Sequence, residues 1–100
     1  MPEGSAGRGV VRLLNTAGGP VLCLAGEVGG AAVHSFRRRY GWEPVRVQGI
    51  DAGSVTALSA PGLELLREHL DAAARSGRPV ALRPSPEVQR LLDGAPAQPW

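Results

Sequence analysis

Residues 50–66 read IDAGSVTALSAPGLELL, and they join an extended run to the clearest helix pattern of the chain. Residues 45–51 (VRVQGID) predict a central strand, and residues 52–54 (AGS) predict the turn that ends it. Ser59 is a good N-cap for the helix that we predict over residues 62–75. The apolar stripe of that helix consists of Leu63, Leu66, Leu70 and Ala73.

The segments before this stretch predict a hairpin and a short helix. Residues 10–14 (VVRLL) and 21–25 (VLCLA) are two apolar runs joined by glycine and proline, as in an antiparallel hairpin. Residues 31–40 follow as a helix that Gly41 ends. Its predicted apolar face consists of Val33, Phe36 and Tyr40, so that Arg37, Arg38 and Arg39 are predicted to form a solvated face.

The segments after it predict one more strand and one more helix. Residues 79–83 (PVALR) are a fourth extended run. Residues 85–87 (SPE) then place an N-cap serine, a first-turn proline and an acid in the order that starts a helix. The element order β-β-α-β-α-β-α predicts an α/β fold, a small mixed β-sheet covered by helices.

The composition limits the class of protein. One hundred residues allow one domain, which we place at residues 10–93 between flexible segments at 1–9 and 94–100. The net charge of +2 is too small for a nucleic-acid-binding surface, and no apolar run is long enough to span a membrane. A single cysteine, Cys23, excludes an internal disulfide and is predicted to be a small buried hydrophobe. We therefore expect a soluble, cytoplasmic protein.

The polar residues do not predict an active site. Candidate acid–base or nucleophilic groups are His34, His69, Ser35, Ser59 and Ser85, but none of these serines lies in a Gly-x-Ser-x-Gly turn. His69 is predicted to be a solvated helix residue and His34 a surface residue. The glycines of residues 26–30 match neither the dinucleotide-binding nor the phosphate-loop pattern, and the ligands of a metal site are lacking. We predict no catalytic activity, cofactor or metal.

The order of these motifs resembles that of STAS domains, which bacterial anti-sigma factor antagonists and sulfate transporters share. Residues 50–66 are similar to the family's strand–turn–helix stretch DLSGVTFLDSSGLxxLL. Residues 21–28 (VLCLAGEV) are similar to LxLxGELD, and residues 76–92 (SGRPVALRPSPEVQRLL) to GRRLVLVNPSPAVRRLL. The resemblance covers roughly residues 10–93 and implies the same fold.

The resemblance also implies a partner and a means of regulation. Antagonists of this family bind a histidine-kinase-like ATPase that is both an anti-sigma factor and a serine kinase. The kinase phosphorylates a serine at the start of the second helix, and the added charge disrupts the complex. At this position the sequence departs from the family pattern, because Ala60 stands where the family has the acceptor serine. Ser59 replaces the preceding aspartate, and Pro61 replaces the following serine or threonine.

The resemblance thus implies a protein-binding regulatory module, and Ala60 implies that it is not switched by phosphorylation at that position. The predicted contact residues are Ser59, Ala60, Pro61, Gly62, Leu63 and Arg67. An alternative, implied by the same resemblance, is an accessory subunit that docks on the ATPase of a lipid-transporting ABC system. The sequence leaves open which partner binds, whether Ser59 is phosphorylated and whether the chain forms a homodimer.

Overall fold

A computed structural model describes residues 9–78 and 80–94. The segments predicted to be flexible, residues 1–9 and 94–100, lie outside this range apart from Gly9 and Gly94. The described elements are β1 (Val10–Thr16), β2 (Gly19–Val28), α1 (Gly30–Tyr40), β3 (Gly49–Leu58), α2 (Ala60–Arg75), β4 (Ala81–Pro84) and α3 (Pro86–Gly94). This order confirms the predicted α/β class and the predicted sequence of elements.

The strands form one mixed sheet in the order β1-β2-β3-β4. Strand β1 pairs antiparallel with β2, whereas β2, β3 and β4 run parallel to one another. Parallel neighbours require crossover connections, which α1 and α2 supply. As a result the parallel strands end at one edge of the sheet, and the three helices begin there.

One face of the sheet packs against the helices, because apolar residues alternate along the strands. In β1, Val11 and Leu13 pack on the core, whereas Val10 and Leu14 are exposed. The buried core cluster is Leu22, Leu24, Val28, Val33, Phe36, Val47, Ile50, Ala52, Val55, Leu65, Leu66 and Val88.

The third strand differs from its predicted bounds. Residues 45–48 lie outside it, and residues 52–54, predicted to be a turn, lie within it. The register with β2 shows why: Cys23 pairs with Asp51, yet Ala25 pairs with Ser54, so β3 carries an extra residue. The Asp51 side chain also accepts a hydrogen bond from the Gly53 N–H at 3.1 Å. Small residues that resemble a turn in the sequence therefore form a bulge instead.

The helix ends follow the predicted capping residues. Gly41, with φ of 93°, ends α1, and this left-handed conformation favours glycine. Ser59 is the N-cap of α2, and the Ser85 hydroxyl accepts from the Val88 N–H at 3.1 Å in the first turn of α3. Helix α2 ends at Arg75, just before Gly77, which adopts φ of 71°.

Candidate functional site

The turn between β3 and α2 lies where the parallel strands end, and backbone contacts fix it there. The Ser59 N–H donates to the Val28 carbonyl at 2.9 Å, which joins the turn to the end of β2. The Ser59 hydroxyl accepts from the Gly62 N–H at 3.4 Å, and the Ser59 carbonyl accepts from the Leu63 N–H at 2.8 Å. Three bonds from one residue thus set the direction in which α2 leaves the sheet.

Gly62 allows the helix to approach the sheet closely. A Cβ atom at this position would lie 2.7 Å from Leu58 Cδ1, 3.1 Å from Val28 Cγ1 and 3.2 Å from the Val28 carbonyl oxygen. Only the first of these neighbours is the end of a flexible side chain, so a larger residue would push the helix away from β2. Gly62 therefore has a steric role in this chain.

The predicted contact residues differ in how much of them a partner could reach. Ala60, Pro61 and Arg67 are exposed, Ser59 and Leu63 are half-buried, and Gly62 is buried. Ala60 and Arg67, together with the exposed Glu64, are spaced so that they lie on one side of α2. An accessible surface is therefore formed by the first turn of α2 and the exposed side of the rest of that helix.

A shallow depression of about 390 Å³ lies beside this turn. Its lining includes Glu27, Gly29, Ala57, Ser59 and Glu87, contributed by the ends of β2 and β3 and the starts of α1 and α3. Two carboxylates thus lie near the first turn of α2, on the sheet edge where the helices begin. The depression is open and presents a surface rather than an enclosed small-molecule cavity.

His69 lies in the core, and its prediction as a solvated residue was wrong. Its side chain is 1% exposed, because the inward side of α2 extends from Leu65 and Leu66 to this position. Its Nδ1 atom lies 2.9 Å from the Leu65 carbonyl, and its Nε2 atom lies 3.0 Å from the Val45 nitrogen. Because the carbonyl can only accept, Nδ1 donates to it, and Nε2 accepts from the Val45 N–H.

These contacts keep the imidazole neutral. Burial lowers the pKa of His69, and nearby Arg37 lowers it further, while the Leu65 carbonyl and Glu68 oppose that shift. Both ring nitrogens are engaged with backbone groups, which leaves neither free to act as a base or a metal ligand. His34, in contrast, is exposed on α1, as predicted.

Arg37 is also buried, which corrects its assignment to a solvated arginine face. It lies four residues after the buried Val33 and is 6% exposed, whereas Arg38 and Arg39 are exposed. Its Nη2 atom donates to Glu68 Oε1 at 2.9 Å, and its Nη1 atom donates to the Trp42 carbonyl at 3.0 Å. The signal for this in the sequence is weak, since Glu68 lies 31 residues away.

The remaining polar candidates are not assembled into a catalytic group. The Ser59 and Ser85 hydroxyls accept bonds in helix first turns, and His69 bonds only to backbone atoms. Cys23 is half-buried rather than fully buried, and partial burial together with Asp51 raises the pKa of its thiol. Within residues 9–78 and 80–94, no group of three or more histidine, cysteine, aspartate or glutamate residues could hold a metal ion.

Neither a protein-family model, nor a curated protein, nor a solved structure matches the chain. The helices in the described part of the chain are all too short or too polar to cross a membrane.

Proposed function

We propose that this protein is a non-catalytic regulatory module that binds a protein partner through the first turn of α2. The observation that supports this is the combination of an exposed Ala60–Pro61 pair with a backbone fixed by Ser59 and Gly62. A fixed surface loses little conformational entropy on binding, which favours recognition. Together with the STAS resemblance, this surface suits a histidine-kinase-like ATPase of the anti-sigma type, in the cytoplasm.

In this proposal the complex is not released by phosphorylation at the helix start. Ala60 has no hydroxyl group that could accept a phosphate. The neighbouring Ser59 hydroxyl is half-buried and occupied by the Gly62 N–H, so a kinase would have to break the N-cap to reach it. We therefore expect the partner to stay bound in the presence of ATP.

The test is capture of partners from the lysate of the native cell, with the intact mass of the bait measured with and without ATP. The Ala60→Glu variant places a carboxylate on the contact surface, and a helix N-terminus tolerates this charge. Ala81→Glu is the matched control, because Ala81 is exposed and pairs with Gly49 at the other end of β3. The wild type and Ala81→Glu should retain a histidine-kinase-like ATPase without gaining mass, and Ala60→Glu should lose it.

Other outcomes would change the proposal in defined ways. Capture of a transporter ATPase would favour the accessory subunit of an ABC system, which needs no kinase. A phosphoryl group on Ser59 would show that the switch is displaced by one residue rather than absent. Equal capture by Ala60→Glu and the wild type would mean that the first turn of α2 is not the contact surface.

A further inference from the structure

Trp42 is the most exposed large hydrophobic residue of the described chain. It is 74% exposed, compared with 44% for Val10 and 40% for Leu14. It lies in the connection between α1 and β3, away from the first turn of α2. Tryptophan residues contribute disproportionately to binding at protein interfaces, so an indole held in solvent calls for an explanation.

Arg37 fixes the position of this tryptophan by stacking on one face of its indole. The guanidinium carbon lies over the indole, 4.8 Å from the ring centroid, and Nη1 bonds to the carbonyl of the same residue. Arg37 is itself fixed by its ion pair with Glu68 and is 6% exposed. One face of the indole therefore covers a buried cation, and its other face is open to solvent.

A second buried side chain holds the same connection three residues later. The Val45 N–H donates to Nε2 of His69, which is 1% exposed. Arg37 and His69 thus hold the segment from Trp42 to Val45 on both sides of Pro44. This segment combines a large apolar side chain, that of Trp42, with a fixed backbone. Both features are typical of a preorganised interface.

The depression beside Trp42 has more acidic than basic residues in its lining. A depression of about 320 Å³ is lined by Trp42, Glu43, Pro44, Glu68, Asp71 and Arg75, which we call the Trp42 platform. Glu68 is paired with Arg37, which leaves Glu43 and Asp71 against Arg75. This local excess contrasts with the net charge of +2 of the whole chain.

We propose that a cationic segment of a protein partner binds to the Trp42 platform. An arginine or lysine of that segment stacks on the open face of the indole, and its charge faces Glu43 and Asp71. A cation over tryptophan is favourable, and nearby carboxylates add to the attraction. Asp71 belongs to the same exposed side of α2 as Ala60 and Arg67, roughly 16 Å from the first turn, so one partner can span both surfaces.

The experiment titrates the full chain with an acetylated, amidated pentapeptide of alternating arginine and alanine, followed by NMR. A pentapeptide with glutamate in place of arginine is the matched probe. We expect the arginine peptide to shift the Trp42 indole N–H resonance saturably, together with backbone resonances of residues 42–45 and 68–75. The glutamate peptide should leave these resonances in place, and raised salt should weaken the arginine peptide.

Variants separate docking from a purely structural role of the tryptophan. Trp42→Leu keeps an apolar cover over Arg37 but removes the indole face, and it should weaken binding at least tenfold. Leu14→Ala, at an exposed position on β1, should bind as the wild type does. Unchanged binding by Trp42→Leu, or equal binding of the glutamate peptide, would overturn the proposal and leave Trp42 as a cover for the Arg37–Glu68 pair. The titration contains no ATPase, so its result is independent of the function proposed for the first turn of α2.

Discussion

The helix cap at the first turn of α2 is formed by neighbours in the sequence, although a Ser59–Val28 bond joins the turn to the sheet, whereas side chains in the middle of the same helix bond to residues far away in the chain. Ser59 bonds to Gly62 and Leu63, three and four residues later. Glu68 and His69 instead bond to Arg37 and Val45, at separations of 31 and 24 residues. One helix therefore carries a surface whose cap is formed locally and a surface whose side chains bond to distant segments of the chain.

The two regions also differ in the kind of contact that a substitution would disturb. At the first turn the exposed side chains are small, and the constraint lies in the backbone and in close packing at Gly62. At the Trp42 platform the backbone is an irregular connection, and buried polar side chains supply the constraint. Stability should therefore depend on sterics in the first region and on hydrogen bonds in the second.

The largest expected effect is the loss of the His69 side chain. His69→Ala leaves a cavity in the core and deprives the Val45 N–H of its acceptor, so the free energy of unfolding should fall by about 3 kcal/mol. Urea denaturation measures this, with His34→Ala as the control, because the exposed His34 should change stability by less than about 0.5 kcal/mol. Equal effects of the two variants would contradict a role for His69 in holding the connection.

The pH dependence of stability tests the same residue without deleting it. The pKa of His69 is lowered in the folded protein, chiefly by burial, so the unfolded chain binds the proton more readily. Stability should be insensitive to this group above the ordinary histidine pKa of about 6.5 and should fall as the pH drops below it. The effect should be smaller than that of His69→Ala, and the variant should lack this part of the pH profile.

Adding one methyl group at the first turn should also destabilise the fold. Gly62→Ala forces a Cβ against Leu58 and the Val28 backbone, and we expect a loss of about 1–2 kcal/mol. Gly30→Ala is the matched control at the start of α1, where a Cβ atom would have no neighbour within 4 Å. It should be neutral or stabilising by a few tenths of a kcal/mol, since alanine favours helices. Equal midpoints of thermal unfolding for the two variants would contradict the steric role of Gly62.

A smaller loss of stability is expected from replacing the Arg37 guanidinium, whose two terminal nitrogens donate to separate acceptors. Arg37→Lys keeps the charge but substitutes one ammonium group for two separate donors, which reach Glu68 and the Trp42 carbonyl. We expect a loss of about 1 kcal/mol, the contribution of one hydrogen bond. Arg38→Lys, at the adjacent exposed position, should leave the urea midpoint unchanged. An Arg37→Lys variant with the same urea midpoint as the wild type would mean that the guanidinium does not hold the segment between α1 and β3.

The same contrast explains how much of the molecule could be predicted from its sequence. The element order, the Ser59 and Ser85 caps and the end of α1 at Gly41 depend on residues close in the chain, and the structure confirms them. The bounds of β3 were wrong, because the bulge near Asp51 depends on pairing with β2.

The candidate site divides in the same way. The start of α2 could be found because its capping serine lies directly before the helix, and the STAS resemblance implied that this turn is a contact surface. The burial of Arg37 and His69, and with it the Trp42 platform, could not, since a charged or polar side chain is assigned to the solvated side by its residue type even where helical spacing places it beside buried residues. Each of these two side chains is buried with its hydrogen bonds satisfied by one nearby backbone carbonyl and one group from a distant segment, Glu68 for Arg37 and the Val45 N–H for His69.

The most direct test of partner binding at the first turn of α2 is site-specific photo-crosslinking in the native cell. A photo-reactive amino acid would replace Ala60 in one protein and Ala81, at the start of β4, in another. We predict a covalent adduct with a histidine-kinase-like ATPase from position 60 only, with undiminished yield when ATP is abundant. An adduct of equal yield from position 81, or one from position 60 that disappears with ATP, would contradict constitutive binding through this turn.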